Sequence, residues 1–218
     1  MKKSLVIKLI GLAMMTACSA AQAVTNFRAI LTNDQEVPLG SIPNEGSSGL
    51  AIFVLNDAMT RLTYDVQLVG LDLRGVNALG VPGQTIPGDS TANDNVTRMH
   101  IHRNFAGLNG NIVFGMIDLS LALRDDNAPN DLMIDVPNLH ITGAWDLLEG
   151  SQVVNQVTTL ANELNNLLAG GLYLNFHTFD HPGGEIRGQI LKVPEPGSLA
   201  LLGIGALGLL GTALRRRA

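Results

Sequence analysis

Eight short runs of Val, Ile, Leu, Phe, Thr and Tyr, parted by turn-forming residues and never alternating with helices, set the strongest limit on this chain. They require an antiparallel, strand-built body and exclude a doubly wound parallel sheet. The runs are residues 26–32, 49–56, 61–69, 98–102, 110–119, 139–144, 172–177 and 185–191. Asn56-Asp57-Ala58-Met59-Thr60 suits a hairpin link between two of them. One helix interrupts the strands: Val153, Val157, Leu160, Ala161, Leu164, Leu167 and Leu168 recur at helical spacing, and Gly170-Gly171 provides a stop. Its apolar stripe implies packing and no chemistry. The expected fold is mainly β, an antiparallel Greek-key-like β-sandwich or barrel with one amphipathic helix, flanked by an N-terminal signal helix and a C-terminal transmembrane helix.

The flanks carry the transport information. Lys2 and Lys3 precede an apolar run from Leu5 to Ala17, and Ala21-Gln22-Ala23 places small residues at a signal-peptidase site. Residues 1–23 are expected to be a signal peptide cut after Ala23 by signal peptidase. A second reading makes Cys18 a lipid-modified N-terminus, although Met15-Thr16-Ala17 before it lacks the usual Leu. Cleavage after Ala23 removes the single cysteine, so the exported body relies on packing without disulfides.

At the other end Pro194-Glu195-Pro196 leads into an apolar stretch from Leu199 to Leu214 and then Arg215-Arg216-Arg217. As a helix that stretch rises roughly 24 Å, marginal for a bilayer, with the arginines held on the cytoplasmic side. The order of Pro-Glu-Pro, apolar helix and basic tip resembles the PEP-CTERM sorting signal of Gram-negative bacteria. That resemblance implies recognition by a membrane-embedded exosortase that cuts near the motif and releases or attaches the protein at the cell surface. A permanent single-span anchor predicts the same orientation. The domain plan is therefore 1–23 signal peptide, 24–193 folded body and 194–218 sorting segment.

Residues 24–193 carry 8 basic and 18 acidic side chains, a net of −10. An acidic body lacks the clustered Lys and Arg that neutralise phosphates, which argues against a nucleic-acid partner. Residues 75–97 are dense in Gly, Pro, Asn, Asp and Thr without apolar periodicity. Asp89, Asp94 and Asn95 there miss the acidic spacing of a calcium loop, and the segment reads as a solvated insertion. Asp125, Asp126 and Asp131, near Pro129, read as a polar turn. No serine elbow, phosphate-cradling glycine loop or CxxC is present.

Four of the five histidines fall in two pairs, His100-Ile101-His102 and His177-Thr178-Phe179-Asp180-His181. Residues two apart on a strand share a face, so His100 and His102 project together and, with Met99 and Ile101 turned to the core, face outward. In the same way Leu172, Leu174 and Phe176 point inward, and Tyr173, Asn175 and His177 outward. Pairing of that strand with 185–191 sets His177 near Glu185 and Asn175 near Arg187, with Glu185 and Arg187 as an ion pair. His100, His102, His177 and His181 form a candidate copper or zinc ligand set, because neutral imidazole suits both ions. The alternative is a set of partly exposed histidines bonded to neighbours in sheet and turn. His140 stands alone as an ordinary sheet residue.

Phe27-Arg28-Ala29, Gln35-Glu36-Val37-Pro38, Gly49-Leu50-Ala51, the His100-Ile101-His102 strand, and residues 171–178 followed by Pro182-Gly183-Gly184-Glu185-Ile186-Arg187-Gly188-Gln189 together resemble the CHRD (chordin-type) domain. The resemblance implies an extracellular β-rich module without catalytic residues, as in animal chordin and many bacterial surface proteins. The His-x-His strand also resembles the copper strand of Cu/Zn superoxide dismutases, but their zinc-ligand region has no counterpart here. The leading expectation is a non-catalytic, exported envelope or matrix module, sorted by exosortase, that requires no cofactor and meets exopolysaccharide or surface proteins. The competing expectation is a copper- or zinc-binding, superoxide-dismutase-like domain.

Overall fold

A computed structural model describes residues 24–40, 46–74, 94–118, 123–124, 131–150 and 158–194. The expected signal helix and the apolar tail helix lie outside the described residues, as do Asp89, Asp125 and Asp126.

The strands are β1 (Thr25–Thr32), β2 (Ser48–Leu55), β3 (Arg61–Val69), β4 (Val96–Arg103), β5 (Asn111–Asp118), β6 (Leu123–Arg124), β7 (Met133–Asp135), β8 (His140–Asp146), β9 (Leu172–Thr178), β10 (Ile186–Gln189) and β11 (Leu191–Lys192). A single helix, α1 (Leu160–Leu168), precedes β9. One sheet runs β6-β5-β4-β9-β10-β1-β2-β3-β8-β7, with β11 pairing β1, and every ladder is antiparallel. The sheet curls into a half-barrel. Phe114 of β5 and Trp145 of β8 are parted by six strands in the sheet order, yet their rings stack with centroids 4.5 Å apart.

The two arms of the sheet differ in a way that places the functional site. In β3, Leu62, Tyr64, Val66 and Leu68 are buried, and Thr63, Asp65, Gln67 and Val69 face solvent. β1 follows with Phe27, Ala29 and Leu31 inward. This is the usual half-buried antiparallel pattern. The β2–β3 hairpin closes as expected, with Asn56 Oδ1 accepting the Thr60 N–H at 2.7 Å. In contrast, β9 and β10 are buried along their whole length. Their core face is Leu172, Leu174, Phe176 and Ile186, and a second, polar layer covers the opposite face.

The helix is anchored by a charge as well as by Leu160 and Leu167. Glu163 is fully buried and accepts hydrogen bonds from Arg103 (Nε, 3.0 Å), Thr158 (2.9 Å) and Asn166 (2.8 Å). Ala161 and Leu168, expected in the apolar stripe, face out, while Val153 and Val157 lie outside the described residues. The expected solvated insertion also needs correcting at its end. Asn95 is buried and bridged to Asp72, whose carbonyl accepts the Val96 N–H at 2.8 Å. Asp131 belongs to an ion pair with Arg61 at 2.9 Å.

Candidate metal centre

Met99 and Ile101 enter the hydrophobic core, as do Leu172, Leu174 and Phe176 of the neighbouring strand. Their alternation leaves His100 and His102 of β4 on one face with Tyr173, Asn175 and His177 of β9. The β4–β9 register sets Arg98 opposite His177, His100 opposite Asn175 and His102 opposite Tyr173. Irregularities in pairing flank this stretch, one between Val96 and Arg98 against β9 and two against β5, at Met99/His100 and Ile101/His102. Such bulges re-aim side chains locally. Ring centroids of His100 lie 5.8 Å from His102 and 5.3 Å from His177, and those of His102 and His177 are 6.2 Å apart.

The expectation that these histidines are partly exposed is overturned: His100 is 1%, His102 8% and His177 7% exposed. The segment after β4 folds back over the His102 end of the polar face, and the turn at Pro182 meets His177 at the other end. Tyr173 Oη accepts the Gly110 N–H at 3.1 Å, Arg187 donates to the Leu108 carbonyl at 2.8 Å, and Gln189 donates to the Asn104 carbonyl at 2.9 Å. Gly110 is required there, because a Cβ would collide with the Arg103 carbonyl oxygen. Arg187 also lies over Tyr173, its guanidinium carbon 3.3 Å from the ring centroid.

Two hydrogen bonds set the tautomers. His102 Nδ1 lies 3.0 Å from the Gly110 carbonyl, and His177 Nδ1 lies 3.0 Å from the Pro182 carbonyl. A carbonyl only accepts, so both Nδ1 atoms carry the proton and donate, which leaves each Nε2 with a free lone pair. Neither Nε2 has a hydrogen-bond partner, nor does either ring nitrogen of His100. One ligand nitrogen from each ring falls within 4.8 Å of the others. Three nitrogens sharing an ion through bonds of about 2.0–2.1 Å stand roughly 3.3–3.6 Å apart at tetrahedral or trigonal angles, so the widest pair needs to close by somewhat over about 1 Å.

Burial keeps the rings neutral, the form that binds metals. It pushes His100 down to about 2, helped by the neighbouring histidines and Arg98. Burial likewise lowers His102 to about 4 against the opposing Gly110 hydrogen bond, and it lowers His177.

Among the described residues the converging set is His100, His102 and His177. His181 stays in the turn, where its carbonyl accepts the N–H groups of Thr178 and Gly184. The expected Glu185–Arg187 ion pair is replaced by other partners. Glu185 accepts the Thr178 hydroxyl at 2.6 Å, closing that turn, and Arg187 goes to Tyr173 and the covering segment. Asn175 does pair with Arg187 in register. Sequence reasoning missed Glu36, which is buried and packs with Asn175 against Gly184, at φ 128°. Burial raises its carboxyl to about 7 despite the Arg187 charge and a hydrogen bond from Asn175. His140 pairs with Asp65 at 2.9 Å, far from this group in the sheet order.

The sequence pattern of the CHRD domain matches residues 27–190. The chain belongs to the CHRD domain family. Every strand from β2 to β10, β1 from Phe27 onward, and with them the three histidines fall within the matched CHRD region. The PEP-CTERM protein-sorting motif matches residues 192–217. It begins at the edge of the CHRD fold, where β11 pairs with β1 and the Val193 N–H reaches the Asn26 carbonyl at 2.8 Å. Pro194 is then exposed. The expected site residues Glu195, Pro196, Arg215, Arg216 and Arg217, like Ala21 and Ala23, lie outside the described residues. No curated protein and no solved structure matches the chain. The superoxide-dismutase-like alternative therefore gains no support. A PEP-CTERM motif marks an exosortase substrate exported to the cell envelope or surface. Among the described residues no helix is long and apolar enough to cross a membrane.

Proposed function

We propose that this CHRD protein is a surface-delivered metal-binding module, in which His100, His102 and His177 hold one copper or zinc ion and no catalytic residue acts beside them. The observation that carries the reading is the pair of unpartnered Nε2 lone pairs on His102 and His177. Both are oriented by carbonyl acceptors on the opposite ring nitrogen and buried beside a His100 ring with no partner of its own. Leaving such atoms unpaired in the interior costs about 1–3 kcal/mol each, which an ion recovers. Release occurs next to the fold: exosortase-type processing at Pro194-Glu195-Pro196 frees the body or attaches it at the surface among exopolysaccharide and surface proteins. His181 is no part of the ligand set.

Metal analysis of the exported chain from cells grown with copper and zinc tests the first half. Stoichiometric metal is expected, and metal-free protein after growth in both ions overturns it. Replacement of Glu195 by Ala tests the second half. It is expected to leave unprocessed chain in the membrane fraction, and unchanged processing overturns that part alone.

A further inference from the structure

The metal-binding reading leaves open which ion the three imidazoles select. Resting on that reading, we infer that the site is built for monovalent copper, held by His100, His102 and His177 alone.

Imidazole is a borderline donor that serves copper and zinc alike, so donor type does not decide; charge and coordination number do. The converging set holds no carboxylate and no thiolate. The charged groups that act on the rings are Arg98, Arg187 and Asp118, and Glu36 sits behind Arg187. Of the two acids, Asp118 faces Arg98 at 3.6 Å, and Glu36 is held by Asn175 and sits beside Arg187. A bound cation thus finds three neutral ligands and no uncommitted anion. The cost of burying an ion scales with the square of its charge, so a divalent ion meets about four times the penalty of a monovalent one.

Coordination number points the same way. Zinc in proteins is almost always four-coordinate and completes a three-histidine set with water. Here the three rings have almost no solvent contact. A closed-shell monovalent copper ion is satisfied by three nitrogens in a plane. Three nitrogens about 2.0 Å from one ion in a plane stand roughly 3.5 Å apart, so the widest pair closes by somewhat over about 1 Å, which side-chain rotation supplies with no fourth group.

The test uses the full exported chain, stripped of metal and titrated without oxygen. Copper(I) is supplied against a chromogenic copper(I) chelator, and zinc(II) and copper(II) are titrated in parallel. One copper(I) per chain is expected, bound at least ~100-fold more tightly than zinc(II). Copper in protein isolated under air is expected to be silent in electron paramagnetic resonance. Zinc(II) or copper(II) binding as tightly as copper(I) overturns the choice of ion while the metal-binding reading stands. Failure of all three ions to bind overturns the reading itself. His100→Asn and His177→Gln are each expected to weaken copper(I) by ~100-fold with the apo unfolding midpoint kept, and His140→Ala to leave it unchanged. If either ligand variant binds copper(I) as the parent does, the assignment fails.

Discussion

Tyr173 lies flat against His102, ring planes 7° apart and centroids separated by 4.8 Å. Since β9 runs between β4 and β10, the same tyrosine stands between His102 and the guanidinium of Arg187. The stack joins a candidate ligand to the residue that holds the covering segment. Arg187 is 1% exposed, so its charge is satisfied by that ring and by carbonyl oxygens rather than by water.

Replacing Arg187 by Lys keeps the charge and removes the planar fork. The Leu108 and Phe105 carbonyls then lose their donor, and the stack on Tyr173 is lost. Destabilisation on the order of 3 kcal/mol is expected in urea unfolding. Metal affinity is expected to fall ~10–100-fold, because His102 loses its support. Tyr173→Phe removes only the Gly110 hydrogen bond and is expected to cost about 1 kcal/mol.

Gly110→Ala tests the covering segment from its backbone. The added methyl would meet the Arg103 carbonyl, so the segment has to move, and the acceptor for His102 Nδ1 moves with it. A stability loss of about 2 kcal/mol or more is expected, together with a weaker metal site. Thermal unfolding with and without added copper or zinc separates the two effects, since ligand stabilisation shrinks with affinity.

Stability of the metal-free chain is expected to fall as pH drops below neutrality. His100 and His102 have folded pKa values depressed to about 2 and about 4, below the unfolded 6.5. Between those limits the unfolded state binds more protons, so stability is full above pH 6.5 and drains away as pH falls. Each ring contributes up to roughly 2 kcal/mol of loss by about pH 5. Glu36 acts in the opposite sense: its carboxyl is raised from 4.5 to about 7, and its contribution is present below 4.5 and lost as pH rises through 7. Urea midpoints from about pH 5 to 8.5 check this: because the Glu36 loss falls between pH 4.5 and about 7 and opposes the histidines there, Glu36→Gln is expected to steepen the acid limb and leave the midpoints above about pH 7.5 without slope from this group.

Glu163→Gln addresses the link between α1 and the end of β4. Arg103, the neighbour of His102 in sequence, keeps a hydrogen-bond acceptor but loses its ionic partner, and the buried acceptors for Thr158 and Asn166 are halved. A loss of about 1–3 kcal/mol is expected. Calorimetry of the two proteins at one pH measures it.

Much of this architecture is legible in the residue order. Strand alternation located β1 to β5 and β8 to β10 within a few residues, because one face of each strand had to be apolar. It also put His100 and His102 on one side and paired Asn175 with Arg187. Alternation does not report what lies above the other face. A strand with polar residues outward looks solvated, yet residues Asn104–Gly110 return over it at His102, Tyr173, Arg187 and Gln189, and the turn at Pro182 meets His177. That return depends on Arg187, Gln189 and Tyr173 finding backbone partners far along the chain, and no local pattern encodes such pairs. Glu36 and Glu163 escaped notice for the same reason: each acid is buried by partners from other elements. His181 lies outside the converging set, on a turn that its own carbonyl ties to Thr178 and Gly184.

Native mass spectrometry of the exported chain, loaded with copper or zinc and desalted, tests the central claim most directly. The account predicts one ion per chain, absent in His100→Asn and retained in His181→Ala. No bound ion in the parent chain, or an ion that survives loss of His100 and disappears with His181, would contradict it.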